Sequence, residues 1–396
     1  MDIICFSHLR WNFVHQRPQH LLSRFTKEQR VFYVEEYVSS SDPDGFSIST
    51  PQENLFVVIP HLNESNGSKN DENYRVEKII SKLFNSYNIE SPIFWYYTPM
   101  ALNFTQNFTP GLIVYDCMDE LSNFKFAPSS LKKLEARLFE IADIVFTGGN
   151  TLYEAKKHLH NNIYSFPSSI DKEHFELART ALKQFPDQAD IPSPRLGFYG
   201  VIDERFDIEL IREAAELKPD WHFVLIGPVV KIDPETLPRH SNIHYLGPKD
   251  YSVLPTYLAG WDIALIPFAI NESTKFISPT KTPEYLAGGK PVISTPITDV
   301  VYPYGKLNLV HIVENGLELV EKANRELHSR TRQVWLKKVD HFLSGISWDH
   351  TWSAMNDLIM TELMKLESLN PKTESYVRLL DSGGRTGWVS TGREAV

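Results

Sequence analysis

The chain has 396 residues, 42% of them hydrophobic and 23% charged, with a formal net charge of −10. That length exceeds what one hydrophobic core usually organises, so two domains are expected, and the acidic balance argues against nucleic acid as a partner, which calls for a basic face. Only two cysteines occur, Cys5 and Cys117, far apart and without Cys-x-x-Cys or Cys/His spacing, so neither a disulfide framework nor a structural zinc site is signalled.

The N-terminus, MDIICFSHLRW, has no basic n-region and only a short apolar run, and no segment approaches the roughly 20 apolar residues of a membrane span. A cytoplasmic protein is expected. Short apolar runs then alternate with amphipathic stretches: Ile3–Ser7, Arg30–Glu36, Leu55–Pro60, Ile93–Thr98, Leu112–Cys117, Ile144–Gly148 and Asn162–Phe166. Runs of this kind, separated by helix-like segments such as Leu131–Ala142, read as buried parallel strands joined by crossover helices, a doubly wound α/β sheet.

The first run ends in SHLRWNFVHQRPQHLL, which places His8, Arg10, Trp11, Gln16 and Arg17 between a strand's carboxyl end and a helix opened by Pro18. Ligands of open α/β sheets gather at such ends, so this loop is expected to line a cleft. For His8 a capping role is the alternative. Arg17 at a helix start opposes the dipole, which points to another use, such as binding an anion. In VYDCMDELS, Asp116 and Asp119 close a strand, and either could orient or deprotonate an acceptor hydroxyl; for Asp119 the alternative is N-capping. Asp42–Asp44 (DPD) reads as a turn and His158–His160 (HLH) as surface. Lys132, Lys133 and Arg137 on Leu131–Ala142 read as the solvated side of a packed helix, with peripheral contact to anionic lipid as the sharper alternative.

Residues 168–194 loosen into a linker with three closing prolines, after which Arg195–Gly200, His222–Gly227, Asn242–Gly247, Asp262–Phe268, Pro291–Thr295 and Leu309–Val313 form a second strand series. Asp207 is placed to cap the helix that follows the first of these. The expected organisation is a Rossmann-like domain over 1–170, a linker over 171–192, a second Rossmann-like domain over 193–345, a helix over 346–366 and a tail over 367–396.

The stretch Ser273–Thr295, STKFISPTKTPEYLAGGKPVIST, opens a short helix with Thr282 as N-cap, Pro283 at the first helical position, Glu284 in the first turn and Gly288–Gly289 at its end. The unpaired N–H groups of its first turn and the Lys281 cation make an anion site with neither metal nor Gly-rich loop. Glu284 there either merely stabilises the helix dipole or, with a nucleotide diphosphate at the helix mouth, accepts bonds from both ribose hydroxyls.

SPTKTPEYLAGGKPVIST resembles the donor-nucleotide motif of GT-B glycosyltransferases, in particular the retaining enzymes of family 4. SFPSSIDKEHF, GFYGVIDERFD and ISWDHTWSAM resemble, in order, that family's segment after the first domain, its Gly-containing first loop of the second domain and its closing helix, which crosses back to the first domain. FSHLRWNFVHQRPQHLLSRF, VYDCMDELS and NESTKFISPTKTPEYLA are similar to a bacterial subgroup, some of whose members are joined to UDP-galactopyranose mutase domains.

The resemblance implies two Rossmann-like domains facing a central cleft and transfer of a hexose from a nucleotide-diphosphate sugar, a UDP-sugar by the subgroup, to a hydroxyl acceptor in bacterial polysaccharide or glycoconjugate synthesis. It implies donor contacts by Gly200, Arg205, Thr280, Lys281, Thr282 and Glu284. No cofactor or metal is implied, since two cations can stabilise a leaving diphosphate. The acceptor expected is a saccharide, free or lipid-linked, at the inner face of the membrane. Where the family motif carries a second Glu this chain has Phe276, and Glu272 is the nearby substitute. Two other readings stay open: a nucleotide-sugar epimerase of the same fold, and a catalytically silent sugar-nucleotide-binding subunit.

Overall fold

The computed structural model describes residues 1–65, 71–181, 183–369, 375–380 and 386–391. The chain divides into two compact units: residues 1–116, 133–146 and 351–396 form the first, and residues 117–132 and 147–350 the second.

The first unit begins β1 (Ile3–Phe6), α1 (Arg17–Phe25), β2 (Val31–Val34), β3 (Val38–Ser40), β4 (Gly45–Gln52), β5 (Leu55–Asn63) and α2 (Glu72–Tyr87). It continues with β6 (Ile93–Tyr96), α3 (Leu102–Thr105), β7 (Leu112–Cys117), α4 (Leu131–Ile141) and β8 (Ile144–Thr147). Its sheet runs β3-β5-β2-β1-β6-β7-β8, with β4 antiparallel on β5. The central strands β1, β2 and β6 are buried at every position, as parallel strands covered on both faces must be, and Tyr33, Phe94, Trp95 and Tyr96 fill this core. Strands β3 and β4 escaped the sequence reading. Their residues are polar and largely exposed, so no apolar run announces them.

Asp44 of the DPD turn accepts a hydrogen bond from Asn63 N at 2.9 Å and pairs with Arg75, a structural use.

The second unit contains α5 (Asn150–Lys156), β9 (Ile163–Ser165), α6 (Lys172–Glu176), α7 (Pro186–Ala189), β10 (Arg195–Tyr199), α8 (Ile208–Leu217), β11 (His222–Ile226) and β12 (Ile243–Gly247). It continues through α9 (Leu254–Ala259), β13 (Ile263–Ile266), α10 (Lys281–Ala287), β14 (Val292–Ser294), α11 (Thr298–Val300), β15 (Val310–Ile312), α12 (Gly316–Leu327) and α13 (Arg332–Leu343). Its sheet is all parallel in the order β12-β11-β10-β13-β14-β15. Counted from β10 this is the 3-2-1-4-5-6 order of a dinucleotide-binding sheet, whose crevice opens at the carboxyl ends of the two central strands. Here those strands are β10 and β13.

Asp207 caps α8 as expected, accepting from Leu210 N at 3.0 Å. The segment expected to be a loose linker instead holds α6 and α7. Phe175 and Ala178 are buried, and Gln188 donates to Tyr257 O and accepts from Trp261 Nε1, so apolar anchors and a buried amide hold the segment down despite its prolines.

Helix α14 (Trp348–Leu369) runs on past the expected boundary at 366, and from Thr351 it packs within the first unit. Trp352 lies 6.1 Å from the Phe25 ring, and Asn356 Nδ2 donates to Glu28 at 3.2 Å. Of the tail expected over 367–396, residues to 369 belong to α14, and β16 (Ser375–Leu380) pairs antiparallel with β17 (Thr386–Thr391). The rest of it lies outside the described residues. No helix among the described residues is long and apolar enough to cross a membrane.

Candidate active site

The crevice of the second unit is built by the loops that leave β10 and β13. Gly200, the first residue after β10, has φ +143°, a conformation that L side chains rarely adopt, and a Cβ there would run into Lys281. Its N–H donates to Ile226 O at 2.8 Å, which turns the chain sharply. The loop then binds its neighbour: Asp207 N donates to Pro267 O, and Ala269 N to Arg205 O, each at 2.8 Å. Arg205 is thereby fixed beside the segment leading to α10.

Helix α10 begins at Lys281 with Thr280 at the N-cap position, two residues earlier than the Thr282 cap expected from the sequence, so Pro283 is its third residue and not its first. Pro283 stays within the first turn, where its missing N–H costs nothing. The Lys281 Nζ lies 5.8 Å from the centre of the Phe198 ring and 5.7 Å from that of Phe268. Burial pulls the pKa of this ammonium down to about 8, with the nearby Arg205 acting the same way, while Glu284 and Asp203 oppose it. It makes no hydrogen bond or ion pair among the described residues. The Thr282 hydroxyl is also buried without a hydrogen-bond partner there.

Glu284, 4% exposed, accepts a hydrogen bond from Tyr199 Oη at 2.7 Å. Burial pushes its carboxyl up to about 7, against the Tyr199 bond and the Lys281 charge. Arg205 is held by Asp203: Nε reaches Oδ1 at 3.0 Å and Oδ2 at 3.1 Å, and Nη2 reaches Oδ2 at 2.7 Å. Its Nη1 is left without a hydrogen bond among the described residues. Burial works against the charge of Arg205, but Asp203, Asp119 and Glu204 more than offset it and raise its pKa.

Gly200, Arg205, Thr280, Lys281 and Glu284 therefore lie together in the second unit, where Lys281 approaches Gly200, feels the charges of Arg205 and Glu284, and Thr280 bonds Glu284, while Thr282 follows in the first turn of α10. Asp119 belongs to the same unit and acts on Arg205 through its charge. Glu272 does not turn inward: its side chain is 76% exposed and its carboxylate is 4.0 Å from Lys275 Nζ. Sequence reasoning missed Tyr199, Asp203, Phe198 and Phe268. Phe198, Tyr199 and Phe268 read only as residues of apolar strand runs, whereas Asp203, two residues before Arg205 in IDERFD, is legible as the partner of its guanidinium.

In the first unit, His8 lies just past the carboxyl end of β1, half-buried, at that sheet's own switch point. The other expected cleft residues there have structural work. Arg10 Nη1 donates to Glu35 Oε2 at 2.9 Å and Glu36 O at 2.6 Å, and Gln16 forms a capping box with Gln19 at the start of α1. Arg17 and Asp116 are corrected most. They form a buried ion pair, with Nε at 3.1 and 3.0 Å from the two carboxylate oxygens and Nη2 at 2.9 Å from Oδ1. Asp116 is fully buried, so neither an open anion site nor an exposed base is present. The cation at the start of α1 answers a buried carboxylate. Burial raises the Asp116 pKa and Arg17 works to lower it.

Two α/β units built on parallel sheets, the second with a cation-bearing crevice at its switch point, make up the GT-B fold. Sucrose-phosphate synthase from Thermosynechococcus elongatus superimposes with a TM-score of 0.66 at 15% identity, covering 92% of this chain and 99% of that one. An α,α-trehalose-phosphate synthase (UDP-forming) from Burkholderia xenovorans in complex with glucose-6-phosphate gives 0.65 at 13%, covering 92% and 99%. The E. coli trehalose-6-phosphate protein bound with UDP-2-fluoro glucose gives 0.64 at 12%, covering 90% and 99%. At such identities the likeness is one of fold. In sequence, the chain is 29% identical over 229 residues to the putative teichuronic acid biosynthesis glycosyltransferase TuaH of Bacillus subtilis. That match covers 53% of this chain and 57% of TuaH, a little over half of each. No protein-family model matches the chain.

Proposed function

We propose that the protein is a glycosyltransferase that moves a hexose from a nucleotide-diphosphate sugar, a UDP-sugar, to a hydroxyl of a saccharide or lipid-linked acceptor in bacterial polysaccharide synthesis. The observation that carries this reading is a set of donors in the second unit that have no hydrogen-bond partner among the described residues: Lys281 Nζ, which lies against Gly200 and within reach of the Arg205 charge, Arg205 Nη1, and the buried Thr282 hydroxyl. Partly buried cations with donors left over, beside a buried hydroxyl without an acceptor, suit an anionic ligand, and a diphosphate supplies the missing acceptors. Glu284, four residues past the N-cap, takes the ribose hydroxyls, and the two cations stabilise the diphosphate as it leaves, with no metal required.

The sequence likeness to TuaH, whose name describes a glycosyltransferase of a polysaccharide pathway, supports the reaction class, and a fold neighbour bound with UDP-2-fluoro glucose supports the donor. Retention at the anomeric carbon and membership of family 4 follow the motif resemblance around Lys281 and Glu284.

The test is thermal unfolding of the purified chain with UDP, GDP, ADP and dTDP, because a ligand that binds only the folded state raises the melting temperature. A shift selective for UDP that disappears in Lys281→Ala is expected. No shift with any of the four, repeated by calorimetry, would refute the reading.

A further inference from the structure

The segment Asn123–Phe126 lies in the second unit although the crevice loops it touches are 79, 106 and 149 residues away in sequence. It is tied to three of them: Lys125 N donates to Glu204 Oε1 at 3.3 Å, Lys125 Nζ to Lys231 O at 3.4 Å and Asn123 Nδ2 to Glu272 O at 3.1 Å. Between these ties the Phe124 ring has two cations over it, Arg205 at 5.4 Å and Lys231 at 5.5 Å from its centre. Lys231 at this contact holds a φ of +61°, a conformation uncommon for a non-glycine residue.

Asp203 grips Arg205 by Nε and Nη2, but a carboxylate fork leaves the guanidinium free to tilt about that edge. A ring beneath it removes that freedom. Lys231 lies in the loop that follows β11, and its Nζ is 4.0 Å from Glu204 Oε1, so the same ring steadies a cation that no motif resemblance pointed to.

We infer that Phe124 is a positioning residue which, through cation–π contacts, aims Arg205 and Lys231 at the diphosphate of the donor, with Lys231 as a third cation of that site. This rests on the proposed donor site. A loop remote in sequence thereby sets how strongly the site prefers a diphosphate over a bare nucleoside.

The experiment measures, by calorimetry on the full chain, the ratio of uridine to UDP dissociation constants for the parent, Phe124→Leu, Phe124→Tyr, Lys231→Ala and the double variant Phe124→Leu/Lys231→Ala. Phe124→Leu should lower that ratio about three- to tenfold while leaving uridine affinity unchanged, Phe124→Tyr should restore it, and Lys231→Ala should cost less in the Leu background than alone. If Phe124→Leu fails to fold, the Tyr and Lys231→Ala variants carry the test: an unaltered ratio in Lys231→Ala overturns the inference. An unchanged ratio in folded Phe124→Leu, or equal losses for UDP and uridine, also overturns it. A parent chain that binds no UDP instead overturns the donor site itself.

Discussion

Tyr199 Oη donates to Glu284 Oε2 at 2.7 Å inside the second unit, and this one hydrogen bond helps keep a buried carboxylate ionisable near neutrality. The carboxyl titrates at about 7 because burial disfavours its charge. A carboxylate accepts two ribose hydroxyls better than a carboxylic acid does, so UDP should bind more tightly as pH rises from 6 to 8, about tenfold by the fraction ionised. Lys281 and the phosphate titrate in the same range. The decisive quantity is therefore the ratio of parent to Glu284→Gln affinities, measured by calorimetry at each pH. A ratio independent of pH would remove the ribose assignment.

The same shift fixes a stability profile. A folded-state pKa raised from 4.5 to about 7 means that the native state prefers the protonated form. The associated stability is fully present below pH 4.5 and is lost as pH climbs through 7, about 3 kcal/mol in all. Glu284→Gln should therefore gain stability relative to the parent across that window, as read by urea unfolding at pH 5 and pH 8. A constant difference between the two proteins would show that Glu284 is not held at a raised pKa.

Lys281→Ala should separate phosphate from nucleoside. Hydrogen bonds to charged groups are worth about 1.5–3 kcal/mol, so UDP affinity should fall roughly 10- to 100-fold while uridine is little changed. Equal losses for both ligands would mean that the residue shapes the pocket and does not bind the diphosphate.

Gly200→Ala places a Cβ against Lys281 in a backbone conformation with φ +143°. About 1–3 kcal/mol of destabilisation is expected, together with weaker UDP binding, because the only relief is for Lys281 to swing away. Thermal unfolding with and without UDP separates the two effects. A variant as stable as the parent and with full UDP affinity would contradict the close approach.

Much of this was legible in the sequence. The parallel strands of both sheets other than β3 are legible as apolar runs because buried parallel strands cover both faces, and α10 announces its start and end through Pro283 and Gly288–Gly289. Charge partnership was not legible. Arg17 and Asp116 are 99 residues apart, and nothing in either local pattern says that the fold brings a helix start against a strand end. The same is true of Phe124 beneath Arg205, and of polar strands β3 and β4, whose pairing to β5 is a property of the sheet edge.

The Arg17–Asp116 pair gives the sharpest separation of structure from function. With Asp116 fully buried, Asp116→Ala leaves a guanidinium charge in the first unit's interior without its carboxylate, a loss of about 3–5 kcal/mol, whereas replacing both residues by apolar ones of similar volume removes the charge and its need together. Asp116→Ala should therefore be strongly destabilised, and Arg17→Met/Asp116→Leu should recover most of the deficit in urea unfolding. UDP affinity in the double variant should match the parent, because the donor crevice belongs to the second unit. If the pair instead acted on the donor, the double variant would be stable yet defective in UDP binding, and the assignment of Arg17 and Asp116 to structure alone would fail.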